Sequence, residues 1–348
     1  MSDPLQIAVA GYGYWGPNIV RNVLERPEFR LAALCEIDDV RAAEFQRRYP
    51  GVPVEPDIDA LLSNGHIDAV VIATPPRSHY ELGRRALEAE KHVLIEKPLA
   101  TTSGDAGELI ALAEEMDVTL MPGHTFLYSP PVNKIRELIR DGTMGDPYFI
   151  TSSRMNLGMY QPDGVVRDLA PHDFSILMYW LEEPVVQVSA LGTSMYRDDV
   201  VETAFLTLTF AGGTSANLQI SWLAPRKVRE MFLVGSKRMI QYDDSAGDES
   251  VRVYDRGFEV AQPEPANFGE YRLTYRTGDM VAPRLDAVEP LNLELKDFAH
   301  AIHTGEEPRS NLRLGLDIVL ALEAAEASVE RGGIPVPVPL ADEVVSIS

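Results

Sequence analysis

The 348-residue chain is predicted to carry an α/β domain on a doubly wound parallel sheet, followed by an α+β domain on an open, mainly antiparallel sheet. Three observations lead there. Strand-like and helix-like runs alternate over residues 1–123, the pattern of parallel strands joined by helical crossovers. The first strand enters a turn with glycines at 11, 13 and 16 and then a helix, which is G-x-G-x-x-G in the context that gives it meaning. Beyond Asp146-Pro147 the runs are strand-like, several alternate polar with apolar residues, and glycine turns separate some of them.

In the first domain (1–123) the expected strands are IAVAG (7–11), LAALC (31–35), AVVIAT (69–74), HVLIE (92–96) and VTLMPG (118–123). Helices are expected near 16–26, 39–48, 78–90 and 103–116. Asp38 or Asp39 suits the cap of the second helix, and Ser78 the cap of the third. Pro75-Pro76 breaks the chain just after a strand, on the carboxyl edge where such sheets bind ligands. In the second domain (124–348), YFITSSRMN, VVQVSAL, TAFLTLTF, TSANLQISW, REMFLVG and RMIQYDD read as about six strands. Gly212-Gly213 and Gly235-Ser236-Lys237 are placed as hairpin turns. Helices are expected near 172–181, 291–304 and 311–331. Residues 256–288 read as an irregular loop reaching a partner subunit or the substrate, and PVPVPL (335–340) as a short extended tail.

Composition narrows the class. Hydrophobic residues make up 45% of the chain, and no run approaches the roughly 20 apolar residues of a membrane helix. The opening MSDPLQIAVAG passes directly into a strand, so no signal peptide is expected. A single cysteine, Cys35, excludes an internal disulfide and a multi-cysteine zinc site, and the cytoplasm is the expected compartment. A net charge of −22 repels nucleic acid and anionic membranes, so neither is an expected partner. A pocket can still be locally basic and take a phosphorylated small ligand.

The glycine turn is the clearest binding signal. Gly11 permits the tight turn, Gly13 leaves room for a pyrophosphate, and Gly16 lets the helix pack close to the strand. The exposed N–H groups of that helix then face the phosphates. Tyr14 lies in the same turn as a candidate cofactor contact, with Trp15, which also reads as packing beside it. Glu36, twenty residues beyond Gly16, stands where a carboxylate meets an adenosine ribose, although it also reads as a capping acid with no ligand role. As a ribose ligand it would oppose a 2′-phosphate by roughly 4 kcal/mol at about 4 Å and an effective dielectric of about 20. Ile37, Asp38 and Asp39 follow, with no immediate arginine to reverse this, so NAD is favoured over NADP. Thr74, Pro75, His79 and Glu96 complete the candidate cofactor contacts.

Glu96-Lys97-Pro98 closes HVLIE. Lys97 reads either as part of a surface turn or as an ammonium held beside the nicotinamide, where it can hydrogen-bond a substrate oxygen and the coenzyme. Asp168 and His172, four residues apart, read either as a cap and a buried histidine or as a carboxylate orienting a proton-accepting imidazole. Arg154, Asn156 and Arg167, with His172, are candidate substrate contacts on the strand and loop leading to that helix. His124, at a strand end, is a candidate for facing the active site. His300 and His303 share a helix face without further ligands, so no metal is expected.

Gly11-x-Gly13-x-x-Gly16, Glu96-Lys97-Pro98 and Asp168-x-x-x-His172, in this order and spacing, resemble the Gfo/Idh/MocA oxidoreductase family over essentially the whole chain. GYWGPNIVRN (13–22), PGHTFLYSPPVNKI (122–135), SRMNLG (153–158), DLAPHD (168–173) and the ending 290–333 resemble its nucleotide-sugar 3-dehydrogenase branch, which oxidises UDP-N-acetylglucosamine-derived uronic acids at C3. Arg167, where that branch is expected to have a tryptophan, and QPDGVV ahead of it depart from the pattern. The resemblance implies a Rossmann domain and a second domain that binds substrate and forms a homodimer or homotetramer through its open sheet. It implies Lys97 and His172 as the catalytic pair, with Asp168 nearby. The implied activity is NAD-dependent hydride exchange at a secondary alcohol or ketone, C3 of a sugar, with the sugar nucleotide-linked. A keto-sugar reductase of a deoxysugar pathway, an inositol or free-sugar dehydrogenase, and a non-catalytic NAD-binding regulator are the alternatives.

Overall fold

The computed structural model describes residues 3–63, 65–158, 160–260 and 273–345. The chain divides into two compact units, one of residues 1–129, 288–323 and 339–348, the other of residues 130–287 and 324–338. Residues 288–323, which the linear reading assigns to the second domain, thus pack with the first unit.

The first unit holds β1 (Leu5–Ala10), β2 (Phe29–Cys35), β3 (Val54–Glu55), β4 (Ala69–Ile72), β5 (His92–Glu96) and β6 (Leu120–Gly123), all parallel, in the order β3-β2-β1-β4-β5-β6. Its crossovers carry α1 (Gly16–Glu25), α2 (Asp39–Arg48), α3 (Ile58–Leu62), α4 (His79–Glu88) and α5 (Ser103–Glu115). Ile7, Val9, Val70, Val71, Val93 and Ile95 are buried to within 1% of completely, as expected of parallel strands covered on both faces. Asp38 caps α2, its Oδ1 accepting from the N–H groups of Val40 and Arg41 at 2.9 and 3.0 Å. Ser78 stands at the N-cap of α4 but does not cap it; its hydroxyl bonds Thr74 Oγ1 and the Pro75 carbonyl. The strand order reverses between β1 and β4, which opens a crevice at the carboxyl ends of the strands.

The second unit begins with α6 (Pro130–Arg140), which the two prolines at its start disguise in the sequence. Then come β7 (Pro147–Met155), α7 (Gly164–Leu181), β8 (Val185–Thr193), β9 (Thr203–Phe210), β10 (Ser215–Ser221), β11 (Val228–Gly235), β12 (Met239–Asp243), β13 (Val251–Val260) and β14 (Leu273–Val281). After α8 (Pro290–Thr304) of the first unit and α9 (Leu312–Glu330), β15 (Val336–Pro337) completes a nine-stranded sheet, β14-β13-β12-β11-β7-β10-β9-β8-β15. Within this sheet, among the described residues, only β7 and β10 pair in parallel.

The expectations for the second sheet and for the helix bearing His172 are corrected. The sheet has nine strands, not about six, because β13 and β14 occupy much of the stretch read as irregular and the extended tail supplies β15; residues 261–272 of that stretch lie outside the described residues. The helix bearing His172 starts at Gly164 and contains Pro171. Proline is usually read as a helix boundary because it lacks an N–H, yet here the helix passes through it. No helix among the described residues is long and apolar enough to cross a membrane.

Alternation along β9 and β10 buries Ala204, Leu206, Leu208, Ala216, Leu218 and Ile220 on one face of the sheet, the period-two pattern of a sheet covered on one side. Beneath α7, the Arg154 guanidinium meets Asp173 at 2.7 Å, and Ser152 donates to the other carboxylate oxygen at 3.1 Å. Both charged side chains are at most 4% exposed. Removing one partner of such a pair strands a charge without water. Asp173→Ala is therefore expected to lower unfolding free energy by about 3–5 kcal/mol in urea titration; a loss below about 1 kcal/mol would remove the pair as a support of α7.

Candidate active site

In the first unit the glycine turn follows from two close approaches and one open position. Gly11 has φ +97° and its backbone lies against Ala73, where a Cβ would stand 2.8 Å from a carbonyl oxygen. A Cβ on Gly16 would collide with the Gly11 carbonyl. Gly13 differs, since a Cβ there would meet only Arg41 Nη1, at 3.5 Å. That space is the cradle a pyrophosphate needs. Trp15, the N-cap of α1, makes no side-chain cap, and the first turn of α1 holds no acid. The N–H groups of Asn18 and Ile19 already bond the Trp15 carbonyl and Pro17 has none, so the Gly16 N–H and the positive end of the helix remain to meet an anion. The turn fits a dinucleotide.

Glu36 is 6% exposed. Its Oε2 accepts from the Tyr12 N–H at 2.6 Å and its Oε1 from the Asp38 N–H at 2.9 Å, so it clasps the glycine turn to the loop after β2. The sequence reading does not single out the Arg41 guanidinium beside Gly13; its signal is its place in the first turn of α2, three residues after the Asp38 cap. Tyr14 is 79% exposed at the tip of the turn, with its ring stacked near Trp15.

Thr74 and Pro75 lie at the carboxyl end of β4, and Glu96 and Lys97 at that of β5, on the edge that also carries the glycine turn. His79 is completely buried, with Nδ1 2.8 Å from the Pro98 carbonyl and Nε2 2.9 Å from that of Thr74. It ties the two loops together and does not line a cleft. Burial pushes its pKa down. His124 is 3% exposed, and burial pushes it down to about 3, so the ring is neutral. Trp15 and the Lys97 N–H both hydrogen-bond the Glu96 carboxyl, which burial nevertheless pushes up to about 7.

In the second unit Asp168 and His172 project from one face of α7, both half-buried. Asp168 Oδ2 accepts from the indole N–H of buried Trp222 at 2.9 Å. Trp222 comes from the end of β10 and has no local sequence signal linking it to α7. Arg154 is 3% exposed and joined to Asp173, so it supports α7 from inside and does not face a substrate. Arg167 is bound to Glu326 through Nε and Nη2 at 2.6 and 2.5 Å. Asn156, half-buried, turns its side chain toward Gly158. The three expected substrate contacts are therefore not gathered around one space.

Residues 5–124 match a family described as oxidoreductase family, NAD-binding Rossmann fold, and residues 132–241 match the GFO/IDH/MocA C-terminal domain. The chain is 28% identical to the UDP-N-acetylglucosamine 3-dehydrogenase of Acidithiobacillus ferrooxidans, over 85% of this chain and 90% of that one. It is 24% identical to the myo-inositol 2-dehydrogenase of Thermotoga maritima, over 94% and 96%. A solved structure of UDP-N-acetylglucosamine 3-dehydrogenase from Acidithiobacillus ferrooxidans superposes with a TM-score of 0.77 at 25% identity, covering 94% of this chain and 98% of that one.

Gly13→Val tests the cradle. Because the Cβ meets only the end of the flexible Arg41 side chain, thermal unfolding is expected to stay within about 2 °C of the parent. NAD affinity measured by calorimetry is expected to fall about a hundredfold, roughly 2.7 kcal/mol; unchanged affinity would place the diphosphate elsewhere.

Proposed function

Since the chain belongs to the Gfo/Idh/MocA family of NAD(P)-dependent dehydrogenases and reductases acting on CH–OH groups, we propose that it is an NAD-dependent dehydrogenase of a nucleotide-linked sugar, acting at C3. The observation that carries this reading is Lys97 at the carboxyl end of β5, on the same sheet edge as an open glycine turn and an uncapped helix N-terminus.

In the oxidative direction His172 accepts the hydroxyl proton as general base. Lys97 donates a hydrogen bond to the same oxygen and offsets the negative charge that develops there. Asp168, fixed by Trp222, holds the imidazole's orientation from one turn earlier on α7. The nicotinamide, when bound, supplies the hydride acceptor. NAD is favoured over NADP because Glu36 places a carboxylate at the end of β2. Similarity to the UDP-N-acetylglucosamine 3-dehydrogenase supports both the nucleotide handle and C3.

The outward face of the nine-stranded sheet supports assembly into a homo-oligomer. Phe205 and Leu191 face each other across β9 and β8, and both are exposed, as are Phe149 and Phe232 on β7 and β11. Apolar groups gathered on one face favour burial against a second copy.

Lys97→Ala and His172→Ala are each expected to lower kcat by about 10²–10⁴ while coenzyme binding persists; full turnover in either variant would remove that residue from the mechanism. A screen of UDP- and dTDP-sugars, inositols and free hexoses, read by reduced-nicotinamide absorbance with NAD and NADP, is expected to give turnover with a UDP-sugar and NAD. Activity confined to inositols or free hexoses would overturn the nucleotide handle, and a preference for NADP the role of Glu36. Phe205→Glu with Phe232→Glu is expected to yield monomers by light scattering, against a dimer or tetramer for the parent.

A further inference from the structure

Beside the face of α7 that carries Asp168, one buried carboxylate pins two loops of the second unit. Glu202 stands directly before β9 and is completely buried. Its Oε2 accepts from the N–H groups of Met195 and Tyr196 at 2.6 and 2.9 Å, and its Oε1 from the Tyr160 hydroxyl at 3.0 Å. Burial pushes this carboxyl up, but those three donors outweigh it and hold it below the usual carboxylate range. The Glu202 carbonyl accepts from the Trp222 N–H at 3.1 Å, because Thr203 and Ser221 pair at the ends of β9 and β10. One residue therefore fixes Tyr160 through its side chain and Trp222 through its backbone. The two rings meet, with centroids 5.1 Å apart and planes tilted by 47°. The indole N–H then donates to Asp168 Oδ2 at 2.9 Å.

We propose that Tyr160 is a positioning residue: its ring, held at the hydroxyl by Glu202, keeps the Trp222 indole aimed at the Asp168 carboxylate. This rests on the reading of Asp168 as the group that orients His172. Core packing alone does not account for Tyr160, whose 42% exposure leaves much of the ring in water. An exposed tyrosine gains little from burial and loses side-chain freedom when both its hydroxyl and its ring are held. Trp222 differs: at 3% exposure its N–H has to find an acceptor inside the protein. The Arg197 guanidinium lies 5.8 Å from the centre of the Tyr160 ring and is itself paired with Asp199 at 2.7 Å, a further hold on the ring. Without the tyrosine ring the indole can turn about its side-chain torsions, and the Asp168 carboxylate loses a fixed donor. A carboxylate free to rotate holds the imidazole through a wider range of angles, and proton transfer is sensitive to that geometry. The links run from Glu202 to Tyr160 to Trp222 to Asp168, each a direct contact.

The full chain is labelled with ¹⁵N at its tryptophan side chains, of which there are three, so that each indole N–H gives its own NMR signal. Trp222→Phe identifies the Trp222 signal, and Asp168→Ala gives its position when the acceptor is gone. In Tyr160→Ala the Trp222 signal is expected to move toward its position in Asp168→Ala, and its exchange with water to quicken at least about tenfold. The signals of Trp15 and Trp180 are expected to stay, which separates a local release from unfolding. Tyr160→Leu keeps apolar bulk and gives the same comparison should Tyr160→Ala fail to fold. Tyr160→Phe, which keeps the ring and loses only the bond to Glu202, is expected to lie between the parent and Tyr160→Ala. With the sugar and coenzyme that the parent turns over, kcat is expected to fall about tenfold in Tyr160→Ala, with KM within about threefold and partial recovery in Tyr160→Phe. A Trp222 signal unmoved in Tyr160→Ala overturns the brace, whatever the substrate proves to be. A moved signal with kcat unchanged, or a loss confined to KM, overturns the positioning role. Full turnover in Asp168→Ala overturns the reading of Asp168 itself.

Discussion

No side chain fits between the first helix and the turn that precedes it. The contact of Gly16 with the Gly11 carbonyl brings the start of α1 against the carboxyl end of β1 and sets the positive end of the helix at the edge of the parallel sheet. The other features of the first unit are arranged around that edge. Glu36 fastens the turn to the loop after β2, His79 fastens the loop after β4 to that after β5, and Lys97 stands where β5 ends. Backbone approach sets the geometry, and buried polar side chains lock it.

The second unit uses a different device. One face of α7 carries Asp168 and His172, while the adjacent Asp173 turns inward to Arg154 and Ser152. A helix rotates about 100° per residue, so consecutive residues separate a solvent-facing task from an internal one. The buried ion pair fixes the rotation of the helix about its axis. Trp222 then limits where the Asp168 carboxylate can turn.

Much of this was legible in the sequence. The five principal strands of the parallel sheet, their crossover helices and the glycine turn all carry local signals, because periodicity and turn chemistry are short-range properties. The strands β7 to β12 were readable for the same reason, and α8 and α9 by their helical period. What escaped depends on partners distant in sequence. The strand β13 is rich in charge, and β15 is two residues long, so each is defined by its neighbour in the sheet and not by its own composition. Pro171 hid the first two turns of α7. Arg154 and His79 carry the residue types of a binding site, yet burial gives both a supporting task.

The clasp made by Glu36 links coenzyme choice to foldability. A protein designer who replaces that carboxylate with a small neutral residue, to admit a 2′-phosphate, also withdraws the acceptor from two amide donors, at about 1–3 kcal/mol for each one left buried. The evolutionary path from one coenzyme to the other therefore passes through a weakened turn. Compensation would have to precede the switch, and Arg41, already beside Gly13, is a cation from which to build it.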